Sequence, residues 1–204
     1  RGGLFVKRWN STIAGISLSV EESIFAHQSQ RELLVHQVQV LNSGTQSVSL
    51  KMDQQLGHAC GTYGCDVNIT EGTSDVLHTV QATVLEPELP SVPHTNIAVV
   101  TGMVQLGPHG GVQRGAVARA TSLDIPVGQT TVFIVTAVST TLDTGATNEA
   151  PLDKAKRLCA AALAGDAAAV HSRLRIAHET GWAARWAEGH IEISRSSGGG
   201  RGSG

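Results

Sequence analysis

The stretch Leu34-Val35-His36-Gln37-Val38-Gln39-Val40-Leu41 decides the fold class. Successive side chains of an extended chain point to opposite faces, so Leu34, His36, Val38 and Val40 share one side while Gln37 and Gln39 take the other. A helix would instead need apolar residues three and four apart. The stretch therefore reads as a half-buried β-strand with Leu34, His36, Val38 and Val40 facing inward. Asn42-Ser43-Gly44 follows with the residues of a reversing turn, and Val48, Leu50 and Met52 then repeat the alternation.

Working outward, the same period of two runs from Leu4 to Leu142, interrupted by Gly, Asn, Ser and Pro. Further strands are predicted over 76–84, with Val76, His78, Val80, Ala82 and Val84 alternating, over 97–106 and over 132–138. Gly107-Pro108-His109-Gly110-Gly111 supplies a reversing turn between the last two. Strands in this rhythm without helices between them predict a mainly β domain over 1–142, a large antiparallel β-sandwich.

The pattern changes at the polar linker Asp143-Thr144-Gly145-Ala146-Thr147-Asn148, beyond which residues 143–193 read as linker helices and a short strand. Pro151 stands where a helix can begin. Leu152, Ala155, Leu158, Ala162 and Leu163 keep helical spacing, and Gly165-Asp166 provides a stop and a new cap. A second helix is predicted over 167–187. On it Val170, Leu174, Ala177, Gly181 and Ala184 make one apolar stripe, and His178, Trp182 and Trp186, four apart, make a second beside it. A helix with two stripes is expected to touch two partners. The short strand Ile191-Glu192-Ile193 follows, and 194–204 reads as a disordered Gly/Ser tail.

Composition excludes several classes. Among 204 residues, 15 Lys and Arg stand against 17 Asp and Glu, and no segment concentrates the cations that phosphate neutralisation requires. Nucleic acid is not an expected partner. No run reaches the roughly 18 to 20 apolar residues that cross a bilayer, so no membrane association is expected either. Aromatics are 3% of the chain, so the core must be built from Val, Leu, Ile and Ala. The odd count of three cysteines favours a reducing, cytoplasmic setting, while the sequons Asn10-Ser11-Thr12 and Asn68-Ile69-Thr70 keep a secreted route open.

Each group that could carry chemistry has a plainer reading. A glycosidase needs two carboxylates facing each other across a sugar, roughly 5 to 9.5 Å apart. Glu86-Pro87-Glu88 could reach that separation but reads as a solvated loop, and Glu21 and Glu22 point to opposite sides of a strand. His58, Cys60 and Cys65 contain zinc-ligand types at a spacing that fits no regular finger or ribbon, so free thiols or a local disulfide compete and no metal is predicted. Cys159 sits among Ala and Leu as a packing residue. His36 and His78 read as hydrogen-bonded core histidines. No nucleophile elbow, phosphate loop or dinucleotide fingerprint occurs, so no catalytic residue and no cofactor are assigned. Trp182 and Trp186 could stack on sugars, but their spacing makes a ridge for another element.

The order of a long β region, a polar linker, two helices, then Trp182-Ala183-Ala184-Arg185-Trp186 leading into Gly189-His190-Ile191-Glu192-Ile193, resembles the N-terminal part of glycoside hydrolase family 65. The resemblance spans about residues 4–193. It implies a β super-sandwich joined by linker helices to an (α/α)6 barrel, whose carboxylates act on the sugar and have no counterpart in this sequence. Residues 2–9, Gly2-Gly3-Leu4-Phe5-Val6-Lys7-Arg8-Trp9, look most like the member that removes α-linked glucose from the glucosyl-galactosyl-hydroxylysine unit of collagen. On this expectation the chain is a fragment lacking material at both ends and inactive alone. Its partner would be the catalytic barrel, docked on His178, Trp182 and Trp186, and its parent would act on a glycan. Two alternatives remain: part of a maltose or trehalose phosphorylase, or a carbohydrate-binding or adhesion sandwich without a catalytic parent.

Overall fold

The structure, a computed structural model, describes residues 3–13, 15–53, 67–84, 95–117, 120–143 and 149–189. The chain is mainly β and antiparallel, with its helices near the C-terminus. The strands are β1 (Phe5–Ile13), β2 (Ile16–Ala26), β3 (Leu33–Asn42), β4 (Val48–Asp53), β5 (Val67–Thr73), β6 (Leu77–Val84), β7 (Asn96–Leu106), β8 (Val112–Ala116), β9 (Ala120–Ile125) and β10 (Gly128–Thr140). Eight form one sheet in the order β1-β2-β3-β10-β7-β6-β5, with β8 also paired to β7, and β4 and β9 form a separate two-stranded ribbon.

Two cores lie on the two faces of the large sheet. On one face the ribbon covers Leu18, Val20, Val40, Val132 and Ile134 with its own Val48, Leu123 and Ile125. On the other face the helices cover Phe25, Leu33, Val35, Val100, Val104, Phe133 and Val135. The central strands are therefore buried on both sides, as the near-continuous burial of β7 and β10 records.

This two-sided cover corrects the reading of the stretch 34–41. Leu33 and Val35 are buried and Gln37 is only 2% exposed, whereas Leu34 is 46% exposed. The helices cover the face carrying Leu33, Val35 and Gln37, while the short ribbon reaches the opposite face chiefly at the Val40 end. Alternation correctly gave a strand but could not say that both faces would find a partner. Val76 likewise belongs to the turn before β6, where the Ser74 N–H donates to the Leu77 carbonyl at 2.8 Å. Gly107 to Gly111 does reverse the chain, with the Gly107 N–H donating to Gly111 O at 2.9 Å, but it delivers β8, and β9 follows before β10. At the other predicted turn the Gly44 N–H donates to Asn42 Oδ1 at 2.9 Å.

Three helical segments follow. Helix α1 (Pro151–Leu163) starts on Pro151 as expected and buries Ala155, Cys159, Ala162 and Leu163. These small residues let it approach the sheet closely: a methyl group added at Gly102 of β7 would lie 2.7 Å from Leu163 Cδ1 and 3.1 Å from the Val76 carbonyl. Its terminal carbonyls have no basic residue of their own turn to meet. Arg114 of β8 instead donates from Nε to Leu163 O at 2.9 Å and also reaches Gly165 O, while Arg173 donates to Ala162 O at 3.0 Å and Ala164 O at 2.9 Å. Gly165 turns the chain with φ +89°, and Asp166 caps α2 (Ala167–His171) by accepting from the Ala169 N–H at 2.8 Å. A π-helical turn, Ser172–Ile176, joins α2 to α3 (Ala177–Glu188) without leaving helical dihedrals at His171, Ile176 or Ala177. The predicted short strand at 191–193 and the tail 194–204 lie outside the described residues.

Two outcomes test this packing. Gly102→Ala is expected to cost about 1–3 kcal/mol by overpacking a helix against backbone, read as a lower urea midpoint at unchanged slope. Burial pushes the Cys159 thiol up to about 12, so it stays protonated in the fold, whereas an unfolded thiol ionises near about 8.5. The unfolded chain then holds fewer protons, so this group's contribution to stability falls as pH rises above that value. Alkylation at pH 8 followed by peptide mass spectrometry should leave Cys159 unmodified until denaturant is added.

Candidate functional site

The three residues singled out on the last helix, His178, Trp182 and Trp186, meet different fates. His178 is fully buried and Trp182 is half-buried, while Trp186 is 50% exposed. The π-helical turn explains the separation. There the Ala177 N–H bonds back five residues to Ser172 O, so the turn holds more residues than an α-turn. The buried line accordingly runs through Val170, Leu174 and His178, four apart, and bypasses Ala177. What the sequence suggests as two parallel stripes is one stripe displaced by the wide turn.

His178 plugs the sheet at the end of β2. Its ring lies 4.3 Å from that of Phe25 and 5.9 Å from that of His27, with Trp182 edge-on at 6.5 Å. Its Nδ1 accepts the Gln28 N–H at 3.2 Å. His27, also buried, accepts the Gln30 N–H on Nδ1 at 3.2 Å and therefore carries its proton on Nε2, which donates to Arg173 O at 3.0 Å. Arg175 stands over the Phe25 ring at 5.9 Å, donates from Nη1 to Gln37 Oε1 at 3.1 Å, and pairs through Nε with Glu179 at 2.6 Å. This cluster ties the last helix to β2 and β3 through the polar bonds of His178, His27 and Arg175.

One turn on, Trp182 covers the start of the chain. A methyl group at Gly3, whose φ is +59°, would lie 2.6 Å from Trp182 Nε1, and among the described residues that buried nitrogen has no hydrogen-bond partner. Gly181 is similarly constrained, since an added methyl group would lie 2.1 Å from Gln28 Oε1. The first described residues and the last helix thus close on each other.

The remaining candidates fall elsewhere. Glu21 and Glu22 do face opposite sides of β2: Arg8 holds Glu21 at 2.7 Å, and His36 Nε2 lies 2.6 Å from Glu22 Oε1. The His36–Glu22 pair was not foreseen from sequence. It needed the β2–β3 register, in which Ile24 faces His36 and Glu22 faces Val38, so the two side chains meet on the diagonal. His78 is buried, 3.1 Å from Thr73 Oγ1 through Nδ1, with no hydrogen-bond partner at Nε2 among the described residues. Cys159 Sγ lies 3.4 Å from Val135 O, and its raised pKa removes thiolate chemistry. Trp9 is 39% exposed on edge strand β1, with Lys7 Nζ 5.0 Å from its ring centre. His58, Cys60, Cys65, Glu86 and Glu88 lie outside the described residues. Among the described residues no group of three or more His, Cys, Asp or Glu side chains could hold a metal.

No protein-family model matches the chain, and no curated protein sequence matches it. Among solved structures the fold is similar to that of a protein described as a kojibiose phosphorylase from the human microbiome, with a TM-score of 0.55 and 11% identity. The match covers 88% of this chain and 23% of that one. This is a likeness of fold alone, to one part of a longer protein. The chain spans about a quarter of that structure's length.

Substitutions should separate anchor from surface. His178→Ala removes a buried ring and leaves the Gln28 N–H without its acceptor, and is expected to cost about 1–3 kcal/mol for the unpaired donor alone. Trp186→Ala, at a half-exposed position, should cost less than His178→Ala. Equal effects in chemical denaturation would contradict the division drawn here.

Proposed function

We propose that this chain is the non-catalytic β domain of a larger carbohydrate-active enzyme of the family 65 type, one that breaks an α-glucosyl bond in a part of the protein beyond these residues. The observation that carries this reading is the asymmetry of the fold match: 88% of this chain corresponds to 23% of the phosphorylase. Sheet and helices together would be one module of a much longer enzyme.

The carboxylates support the same reading. Glu21, Glu22, Glu32, Glu149 and Glu179 are each within ion-pair distance of a basic side chain: Arg8, His36, Lys154, Arg157 and Arg175 respectively. Arg157 holds the Glu149 carboxyl below the usual carboxylate range. A pair of acids working on a glycoside must instead face a shared sugar with their protonation states held apart. The module's role would be mechanical, with Trp186, half exposed on the far turn of α3, offered to the catalytic part.

Within this reading the bond is cleaved either by phosphate, as the neighbour's name states for that protein, or by water. The likeness of residues 2–9 favours water and the glucosyl-galactosyl-hydroxylysine of collagen, the substrate of protein glucosylgalactosylhydroxylysine glucosidase. Isolated, the chain should release no glucose from that glycoside and no glucose 1-phosphate from kojibiose with phosphate. Turnover by these 204 residues would overturn the proposal. A gene whose longer reading frame encodes a helical domain active in one of the two assays would bear it out and identify the acceptor.

A further inference from the structure

Strand β1 ends the order of the large sheet, and among the described strands none pairs with its outer edge. All nine of its residues keep unbroken register with β2, so it carries no bulge, and it contains no proline and no acid. Phe5, Trp9 and Ile13 share the face of Val20, on the ribbon side, yet are 63%, 39% and 37% exposed, while Val6 on the helix side is 38% exposed. Neither layer covers this strand. A long, straight, apolar edge of this kind is a template for another strand.

Which groups the edge offers follows from β2. The Ser17 carbonyl accepts the Ser43 N–H at 3.2 Å, just beyond β3, so Ser17 turns its peptide groups toward β3. In an antiparallel ladder the N–H and C=O of one residue point to the same side, and the side alternates along the strand. Ser17, Ser19, Glu21 and Ser23 therefore face β3, and their partners Thr12, Asn10, Arg8 and Val6 turn N–H and C=O outward. Only that row of β1 can bond a further strand.

The row is self-complementary. When β1 pairs antiparallel with its own copy, an outward residue must meet an outward residue, so the two-fold axis passes through a residue and never between two. An axis through Lys7 or Arg8 would set a cation against itself. An axis through Trp9 pairs all nine residues: Phe5 with Ile13, Val6 with Thr12, Lys7 with Ser11, Arg8 with Asn10, and Trp9 with Trp9. No like charges then meet, and an aromatic side chain faces a β-branched one. The cations are also answered within their own chain, Arg8 by Glu21 at 2.7 Å and Lys7 by the Trp9 ring at 5.0 Å, so the edge does not call for an acidic partner. We infer that two copies of this chain join edge to edge through β1, making one continuous sheet about a two-fold axis at Trp9. Such a contact uses the same surface twice and closes at two copies, whereas pairing of β1 with the opposite edge strand, β5, would propagate. The inference concerns the chain alone and does not rest on the enzyme reading.

Sedimentation velocity of the full chain over a rising series of concentrations should show the weight-average mass climbing up to twofold and stopping there. Asn10→Pro deletes an outward N–H that the ladder to β2 does not use, and should weaken association at least about tenfold with an unchanged far-UV circular dichroism spectrum. The axis is tested by oxidation in a chain carrying Cys60→Ser and Cys65→Ser. There Trp9→Cys sets a thiol opposite its own copy in a non-hydrogen-bonded pair, about 4.5 Å apart at Cα, and a disulfide-linked dimer is expected. Thr12→Cys, opposite Val6, should stay unlinked. A mass of one chain at every concentration, a mass growing past two, undiminished association in Asn10→Pro, or linkage at residue 12 as readily as at residue 9 would each overturn the inference.

Discussion

The structure depends on how closely α1 can lie on the large sheet. Leu163 enters where Gly102 has no side chain, and Ala155, Cys159 and Ala162 present so little bulk that helix and sheet share one core. A chain with 3% aromatics has few large rings to span gaps, so the core is closed by bringing backbones together instead. The contact also sets the chemistry of Cys159. Lodged between helix and sheet, its thiol is desolvated and behaves as a small apolar group.

Much of this architecture could be read from the residues. Alternation in 34–41, 97–106 and 132–138 marked three of the central strands, and Pro151, Gly165 and Asp166 marked helix boundaries, because strand period and helix caps are local properties. Which face of a strand lies inward is not local. Leu34 and Gln37 exchanged places because the helices that cover Gln37 are contributed by residues more than a hundred positions away. The strands β8 and β9 were missed for a related reason: each is short, and the turn before β8 was already assigned to a longer hairpin.

The site residues were legible in kind but not in arrangement. The apolar and aromatic spacing of the last helix singled out His178 and Trp182 as a face for a separate barrel, whereas here His178 packs against Phe25 and Trp182 lies over Gly3. An α-helical wheel cannot foresee a π-helical turn, which moves the buried line by one position and turns His178 from an edge residue into the plug against Phe25. The His36–Glu22 pair needed strand register, which sequence separation alone does not supply.

The arginines at the end of α1 bear on how the chain assembles. The carbonyls of Ala162, Leu163 and Ala164 take their hydrogen bonds from Arg114, upstream on β8, and from Arg173, downstream beyond the next cap. A nascent polypeptide halted before residue 173 would present that helix end with the donors to Ala162 and Ala164 still missing, and β3 cannot join β10 until the residues from 43 to 127 have been made. Assembly of this kind favours a late, concerted closure over stepwise growth. The segment carrying Arg173 is then less an appendage than the clasp that holds the end of α1.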